Sequence, residues 1–448
     1  MQWLVAVIFL VHHIRSLESM RCGFNSMCTC TYESGTQQID DISCVAVVFY
    51  KYPNVPDISV SHMEVQGTNV VSLESLSLAG TQIQSLTVAN NKLRRIAEKA
   101  FSSTYKILSS LDLSYNELDS VPFNAFRELR NLQWLNLHGN EIHSIVGEWS
   151  HLKNTVANLF LGGNDIVDLP SDAEHMPRTH GLRHFKQLIW LNLDSNRITK
   201  VHKHSFPAGL QTLSISYNLL ENFPLEVITG LPHLQWLYLR GNHITFLPEH
   251  TFHRKLRLEK IDLSENALKT LPRAPFNNSV YVRDLNLAFN NIRILSAESF
   301  QGLRCGRIIM SYNQIEALDR KALSGLHDTL EYLDFDHNNM IHIPHALHHL
   351  NQLKYLYLSS NLISDIPEHS FTTLCANLKA LSLSGNRLMS VPQEALVNCS
   401  NVSYFNIGYN EIYEITEIDF EWAINDWLIW IAWKYHLALT ETIFHTKY

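Results

Sequence analysis

Four of the seven cysteines crowd into Cys22, Cys28, Cys30 and Cys44. Two chemistries use such a cluster, disulfide bonding in an oxidising compartment and zinc chelation. The C-x5-C-x-C-x13-C spacing lacks the paired C-x2-C knuckles that zinc usually takes, which favours a stapled cap. Four cysteines allow three pairings, and spacing does not choose among them. A second group, Asp336, His337, His342, His345, His348 and His349, has the composition of a metal site. A third set consists of large rings at regular separations, Trp134, Trp190 and Trp236 and then Tyr332, Tyr355 and Tyr404. Rings of this kind anchor binding interfaces. Three N-x-[ST] sequons, at Asn277, Asn398 and Asn401, offer attachment points for oligosaccharide. Cys375 and Cys399 are candidates for a further disulfide, with buried free thiols as the alternative, and Cys305 stands in an apolar context. No P-loop, G-x-S-x-G, H-E-x-x-H or dinucleotide fingerprint occurs, and no carboxylate pair has a catalytic spacing. Neither enzyme chemistry, a cofactor nor a metal is therefore expected.

The elements that position these residues follow from an internal period. The phrase L-x-L-x-x-N-x-[L/I] recurs, as in Leu111-Asp112-Leu113-Ser114-Tyr115-Asn116-Glu117-Leu118 and Leu237-Tyr238-Leu239-Arg240-Gly241-Asn242-His243-Ile244. Its asparagine falls at Asn91, Asn116, Asn140, Asn164, Asn196, Asn218, Asn242, Asn266, Asn290, Asn313, Asn338, Asn361, Asn386 and Asn410. An opening repeat at Met63-Glu64-Val65 carries Thr68 in the asparagine place, for about fifteen repeats, and the intervening Leu76-Ser77-Leu78 is a decoy out of register. In each phrase the leucines point inward from a short strand while the intervening residues face out. The buried asparagine amide can pair backbone groups that the turn would otherwise strand. Ten residues beyond most asparagines stands an apolar residue, Phe101, Phe126, Phe206, Ile228, Phe252, Phe276, Phe300, Leu323, Phe371, Leu396 or Phe420, which predicts a second, convex-side spine.

No repeat can bury its apolar side alone, so stacking must create one continuous core with a parallel sheet on the inner curve. At ~4.8 Å per strand the sheet would run roughly 70 Å, a length suited to a macromolecular ligand. The ring residues Trp134, Trp190, Trp236, Tyr332, Tyr355 and Tyr404 each precede the first strand leucine and so face outward from the concave side, beside Asp112, Asp194, Asp262, Asp284, Asp334 and Asp336. The same phase spreads the histidine group over turn and convex side, which argues against a metal. The 32-residue step from Asn164 to Asn196 places a polar insertion around residues 171–181. It is either a binding loop or a tolerated extension.

The chain opens with an apolar run, Trp3 to Val11, too short to span a bilayer but suited to a signal peptide. Cleavage near Ser16 or Ser19 would leave the cysteine cluster at the new terminus. With 46% hydrophobic and 17% charged residues the composition is that of a folded protein, and a formal charge of -8 offers no basic stripe for nucleic acid. After Phe420 the repeat breaks, because its phase puts Asp426, Lys434 and His436 at core positions. The apolar segment Trp427 to Trp433 is again too short to cross a membrane. The expected organisation is a signal peptide over 1–19, a cysteine-rich cap over 20–60, the repeat array over 61–420 and an atypical tail over 421–448.

On the cap phrase Cys22-Gly23-Phe24-Asn25-Ser26-Met27-Cys28-Thr29-Cys30 and the uninterrupted array, residues 22–420 are similar to extracellular leucine-rich-repeat proteins of the typical class. Within them the chain resembles the chaoptin-like proteins of insect photoreceptor cells. The resemblance implies an α/β solenoid, a curved horseshoe with a parallel sheet on the concave face, an irregular or short-helical convex side and a disulfide-stapled N-terminal cap. It also implies pairing of Cys22 with Cys30 and of Cys28 with Cys44. Function would then be protein recognition at the outer face of the plasma membrane, most directly cell adhesion, with the chain's own copy among the possible partners. Unlike a lipid-anchored member, this sequence carries no GPI-type tail, transmembrane helix or C-terminal cysteine cap, as a truncated member would. The ligand-binding ectodomain of a Toll-type receptor and a soluble secreted matrix or carrier protein are the rival expectations.

Overall fold

The computed structural model describes residues 19–422 apart from 34–37, 50, 54, 76, 79, 170–180, 203, 250, 252–256, 273–274, 277–279 and 421. The expected signal peptide, nearly all of the 171–181 insertion, Phe252, the sequon at Asn277 and the tail beyond Trp422 lie outside the described residues. Two compact halves, Met1–Leu213 and Ser214–Tyr448, make up the chain.

The N-terminal half opens with the cap. Met20–Cys22 pairs antiparallel with Asn25–Tyr32, which pairs antiparallel with Ile39–Val45. Ile39–Val45 then pairs parallel with Ser59–Gln66, so the cap covers the sheet's first edge by continuing it. Cys22 is bonded to Cys30 and Cys28 to Cys44, and all four are buried. The parallel sheet proceeds through Gln82–Thr87, Ser110–Asp112, Trp134–Asn136, Asn158–Phe160 and Trp190–Asn192. Leu111, Leu135, Leu159 and Leu191 stand in register and are fully buried. Leu78, in the decoy phrase, is buried in a turn and not in a strand.

In the C-terminal half one strand per repeat runs from Trp236–Tyr238 to Tyr404–Asn406, all parallel. Leu237, Ile261, Leu285, Ile308, Leu333, Leu356, Leu381 and Phe405 align beneath it as the core column. The convex side is made of turns, with single-turn helices at Phe123–Phe126, Leu225–Ile228 and Gln393–Leu396. A proline precedes each helix (Pro122, Pro224, Pro392), where its missing N–H costs nothing. Beneath these turns the apolar spine packs ring on ring, Phe101 with Phe126 at 6.3 Å and Phe276 with Phe300 at 6.4 Å. In the repeat after Asn140 the spine position is filled one residue early by Trp149. Its indole Nε1 donates to the Ile145 carbonyl at 2.9 Å, and its ring is held between Phe123 and Phe185.

The asparagines knit neighbouring repeats together. Asn266 Nδ2 donates to the Leu239 carbonyl of the preceding repeat at 2.9 Å and to Leu263 and Ser264 carbonyls of its own turn. Its Oδ1 accepts the Ile244 N–H of the preceding repeat at 3.1 Å. The same set recurs along the array, ending with Asn410, whose Oδ1 accepts the Leu388 N–H. Thr68 starts the ladder, donating through both its N–H and its hydroxyl to Asn91 Oδ1 at 2.8 Å. The described partners of these amides are backbone groups apart from that threonine hydroxyl, so the ladder itself does not depend on which side chains fill the rest of the repeat.

Candidate protein-binding face

The residue before each ladder asparagine is in the left-handed region, including the non-glycine residues Tyr115, Tyr217, Phe289, Tyr312 and His337. This conformation costs roughly 1–2 kcal/mol for an L-residue, and a backbone bond to the next repeat offsets it, as from Tyr312 N–H to the Asp336 carbonyl at 2.9 Å. The turn throws these side chains outward at the rim of the sheet. Where the next repeat has glycine in that column, the ring lies over it: a Cβ at Gly241 would sit 2.4 Å from Tyr217 Cδ1.

The concave face carries two outward columns, one on each side of the core column. In the N-terminal half Trp134 and Trp190 belong to the first column, with Asn158 in register between them. They do not touch each other. Phe160, from the second column, fills the gap, with ring centroids 5.4 Å from Trp134 and 5.3 Å from Trp190. All three rings are half-buried. Polar groups flank them in pairs, Asn136 Nδ2 donating to Asp112 Oδ2 at 3.1 Å and Asn192 Nδ2 to Asp194 Oδ2 at 2.8 Å. Burial holds the His138 imidazole below the usual histidine range, partly opposed by Asp194 and Asp112.

In the C-terminal half the first column reads Trp236, Lys260, Asp284, Arg307, Tyr332, Tyr355, Ala380 and Tyr404. Charges therefore separate Trp236 from the tyrosines. Tyr332 is the centre of a second cluster, 5.3 Å from Tyr357 and 6.0 Å from Tyr355, with the Arg307 guanidinium 4.2 Å over its ring. Tyr404 lies one strand beyond Ala380, and its hydroxyl accepts a bond from Asn406. Beside the cluster, burial raises the Asp334 carboxyl above its usual range, and burial with the Asp334 charge pushes Asp336 up to about 6. Asp284 is likewise raised by burial, and its Oδ1 is buried without a hydrogen-bond partner.

Of the remaining expected sites, Asn398 and Asn401 are exposed on the convex side. Asn401 Nδ2 donates to the Ala376 carbonyl at 2.9 Å, tying two repeats. Cys375 is bonded to Cys399 within the convex core, and Cys305 is a buried free thiol whose pKa burial pushes up to about 12. His345 and His348 sit on the convex turn His345–His349, and among the described residues no group of three His, Cys, Asp or Glu converges as a metal site. Two features escape a reading confined to the residue before the first leucine: Phe160, which belongs to the other column, and the rim rings. Reading the column before each asparagine down the chain, where aromatic rings and glycines predominate, is the signal that finds the rim.

The leucine rich repeat family pattern matches residues 81–142 and, in overlapping segments, 186–363, more than half of the chain. This chain is a leucine-rich-repeat protein. Among curated leucine-rich-repeat relatives it is 25% identical to Podocan of Mus musculus over 382 residues, covering 74% of this chain and 60% of that one. It is also 25% identical to Transforming growth factor beta activator LRRC33 of Danio rerio over 351 residues, covering 74% of this chain and 48% of that one. The chain thus spans about half to three-fifths of the length of these two curated relatives. Among solved structures, the Toll–Spatzle complex of Drosophila matches 91% of this leucine-rich-repeat chain and 54% of its own, with TM-score 0.71 and 20% identity, a likeness of fold.

Proposed function

We propose that this chain is an extracellular recognition scaffold, not an enzyme, that binds a protein partner on its concave face with Trp134, Phe160 and Trp190 as the anchor. That ring cluster carries the reading. Its rings are held by strands and by one another, so docking on them orders little that is not already ordered. Toll is solved in a complex with Spatzle and the Danio relative is named an activator of a growth factor, which supports binding as the activity. Three disulfides suit an oxidising compartment outside the cell. Among the described residues no helix is long and apolar enough to cross a membrane.

The finer form of the reading is cell-surface adhesion of the chaoptin-like kind, with another leucine-rich-repeat ectodomain as partner. The Toll likeness favours a second form, the ligand-binding ectodomain of a receptor; release as a soluble matrix protein is the third. The test is to present the tagged chain to an array of extracellular domains, its own included. A partner whose affinity falls at least tenfold with Trp134→Ala/Trp190→Ala and is unchanged by the convex control His151→Ala supports the concave reading. Equal binding by all three proteins overturns it. Aggregation of cells displaying the chain separates adhesion from the other two forms.

A further inference from the structure

The exposed large hydrophobic side chains of the C-terminal half gather on one flank. Tyr355 lies on the concave face and Val397 at the end of a convex helix. Among the described residues, all the others fall between one residue before and four residues after a ladder asparagine, where the chain leaves the sheet. The centre of this band is a stack of three rings from successive repeats. Phe289 and Tyr312 lie 4.2 Å apart with planes 6° apart, and Tyr312 and His337 lie 4.1 Å apart with planes 12° apart. Ile294 and Ile341, from the same stretch of the flank, are 58% and 52% exposed. Two ion pairs on this flank are closed within the chain, Arg240 with Glu265 at 2.5 Å and Arg293 with Glu316 at 2.8 Å.

We propose that this flank is the docking surface for a second copy of the chain, joined about a two-fold axis. The exposed hydrophobics from Tyr217 to Ile341 present roughly 700 Å² of side-chain surface, given the size of such residues, close to the ~800 Å² per partner of a standard interface. An exposed apolar band of this extent calls for a cover. A two-fold contact sets a patch against itself. A chain with a formal charge of -8 repels its copy over most approaches, whereas here the ion pairs are already closed within each copy and apolar surface meets apolar surface. The rings are stacked before contact and lose little freedom on burial. The flank is separate from the concave face, so this inference stands or falls independently of the concave reading.

Sedimentation equilibrium of the whole chain at micromolar concentrations tests it. The expected result is a monomer–dimer equilibrium that Phe289→Asp/Tyr312→Asp weakens roughly 100-fold, in the range of losses seen at interface anchors. The convex control His151→Ala leaves the dimer unchanged. Should the aspartates disturb the ring stack itself, Ile294→Asp/Ile341→Asp probes the same flank without touching it, and circular dichroism checks folding of each. A chain that stays monomeric throughout, or a dimer that survives both double substitutions, overturns the proposal.

Discussion

An asparagine in the ladder closes its own turn and binds the repeat before it, so its loss strands several buried groups at once. Asn266→Ala leaves the Ile244 N–H and the Leu239 carbonyl without those partners. At about 1–3 kcal/mol for each stranded group, we expect a loss of roughly 2–6 kcal/mol in urea unfolding. Asn401→Ala removes one bond at the exposed convex surface and should cost under about 1 kcal/mol. Asp336 sets a pH dependence of the opposite kind from a salt-bridged carboxylate. Its pKa rises on folding to about 6, from about 3.9 in the unfolded chain. The folded state therefore holds its proton more tightly. The resulting stabilisation is complete below the unfolded value and is lost as pH rises through about 6. Asp336→Asn, which keeps an acceptor for the Ser359 N–H, should raise the urea midpoint at pH 7.5 relative to the parent, with the gap closing by pH 4. A gap of equal size at both values would refute the assignment.

At the level of the element, the strands, the ladder and most of the convex spine were legible in the sequence because each obeys one period: Leu111, Asn116 and Phe126 recur with fixed offsets. Trp149 was not, since it reaches the spine from one position earlier and breaks the offset. The pairing of Cys22 with Cys30 and of Cys28 with Cys44 rested on resemblance, spacing being silent. The concave anchor was half legible. Trp134 and Trp190 stand in one column and could be read off it, but the ring that joins them, Phe160, comes from the neighbouring column, and only its side chain lying across towards the flanking strands brings the three together. The glycines of the rim column were visible as residues, yet their reason lay in the preceding repeat. Gly241→Ala forces a Cβ onto the Tyr217 ring at a positive φ and should destabilise the protein by about 1–2 kcal/mol. Gly241→Ala in a Tyr217→Ser background should recover part of that loss. The Cys375–Cys399 bond closes a loop of 24 residues between adjacent repeats. On the chain-entropy estimate its removal by Cys375→Ala/Cys399→Ala costs about 3 kcal/mol, and hydrogen exchange should localise the loosening to the last repeats.

For the molecule as a whole, stability in a solenoid is a sum of repeat and nearest-neighbour contributions, so the two halves need not melt together. Tryptophan fluorescence followed alongside a Trp236→Phe variant, which removes a reporter from the C-terminal half, should reveal urea transitions that do not coincide with those seen by circular dichroism. A single coincident transition would show one cooperative body instead. The boundary between the halves has no mark in the sequence, because every repeat on either side obeys the same period. The backbone-only bonding of the asparagine ladder reaches beyond stability. A repeat excised or duplicated between two ladder asparagines leaves each remaining amide facing the same carbonyl and N–H it faced before, whatever side chains arrive with the new neighbour. Array length is thus a quantity that unequal recombination can change in whole steps without unfolding the product, and a lineage of such proteins can lengthen or shorten its reach while its outward columns diverge residue by residue.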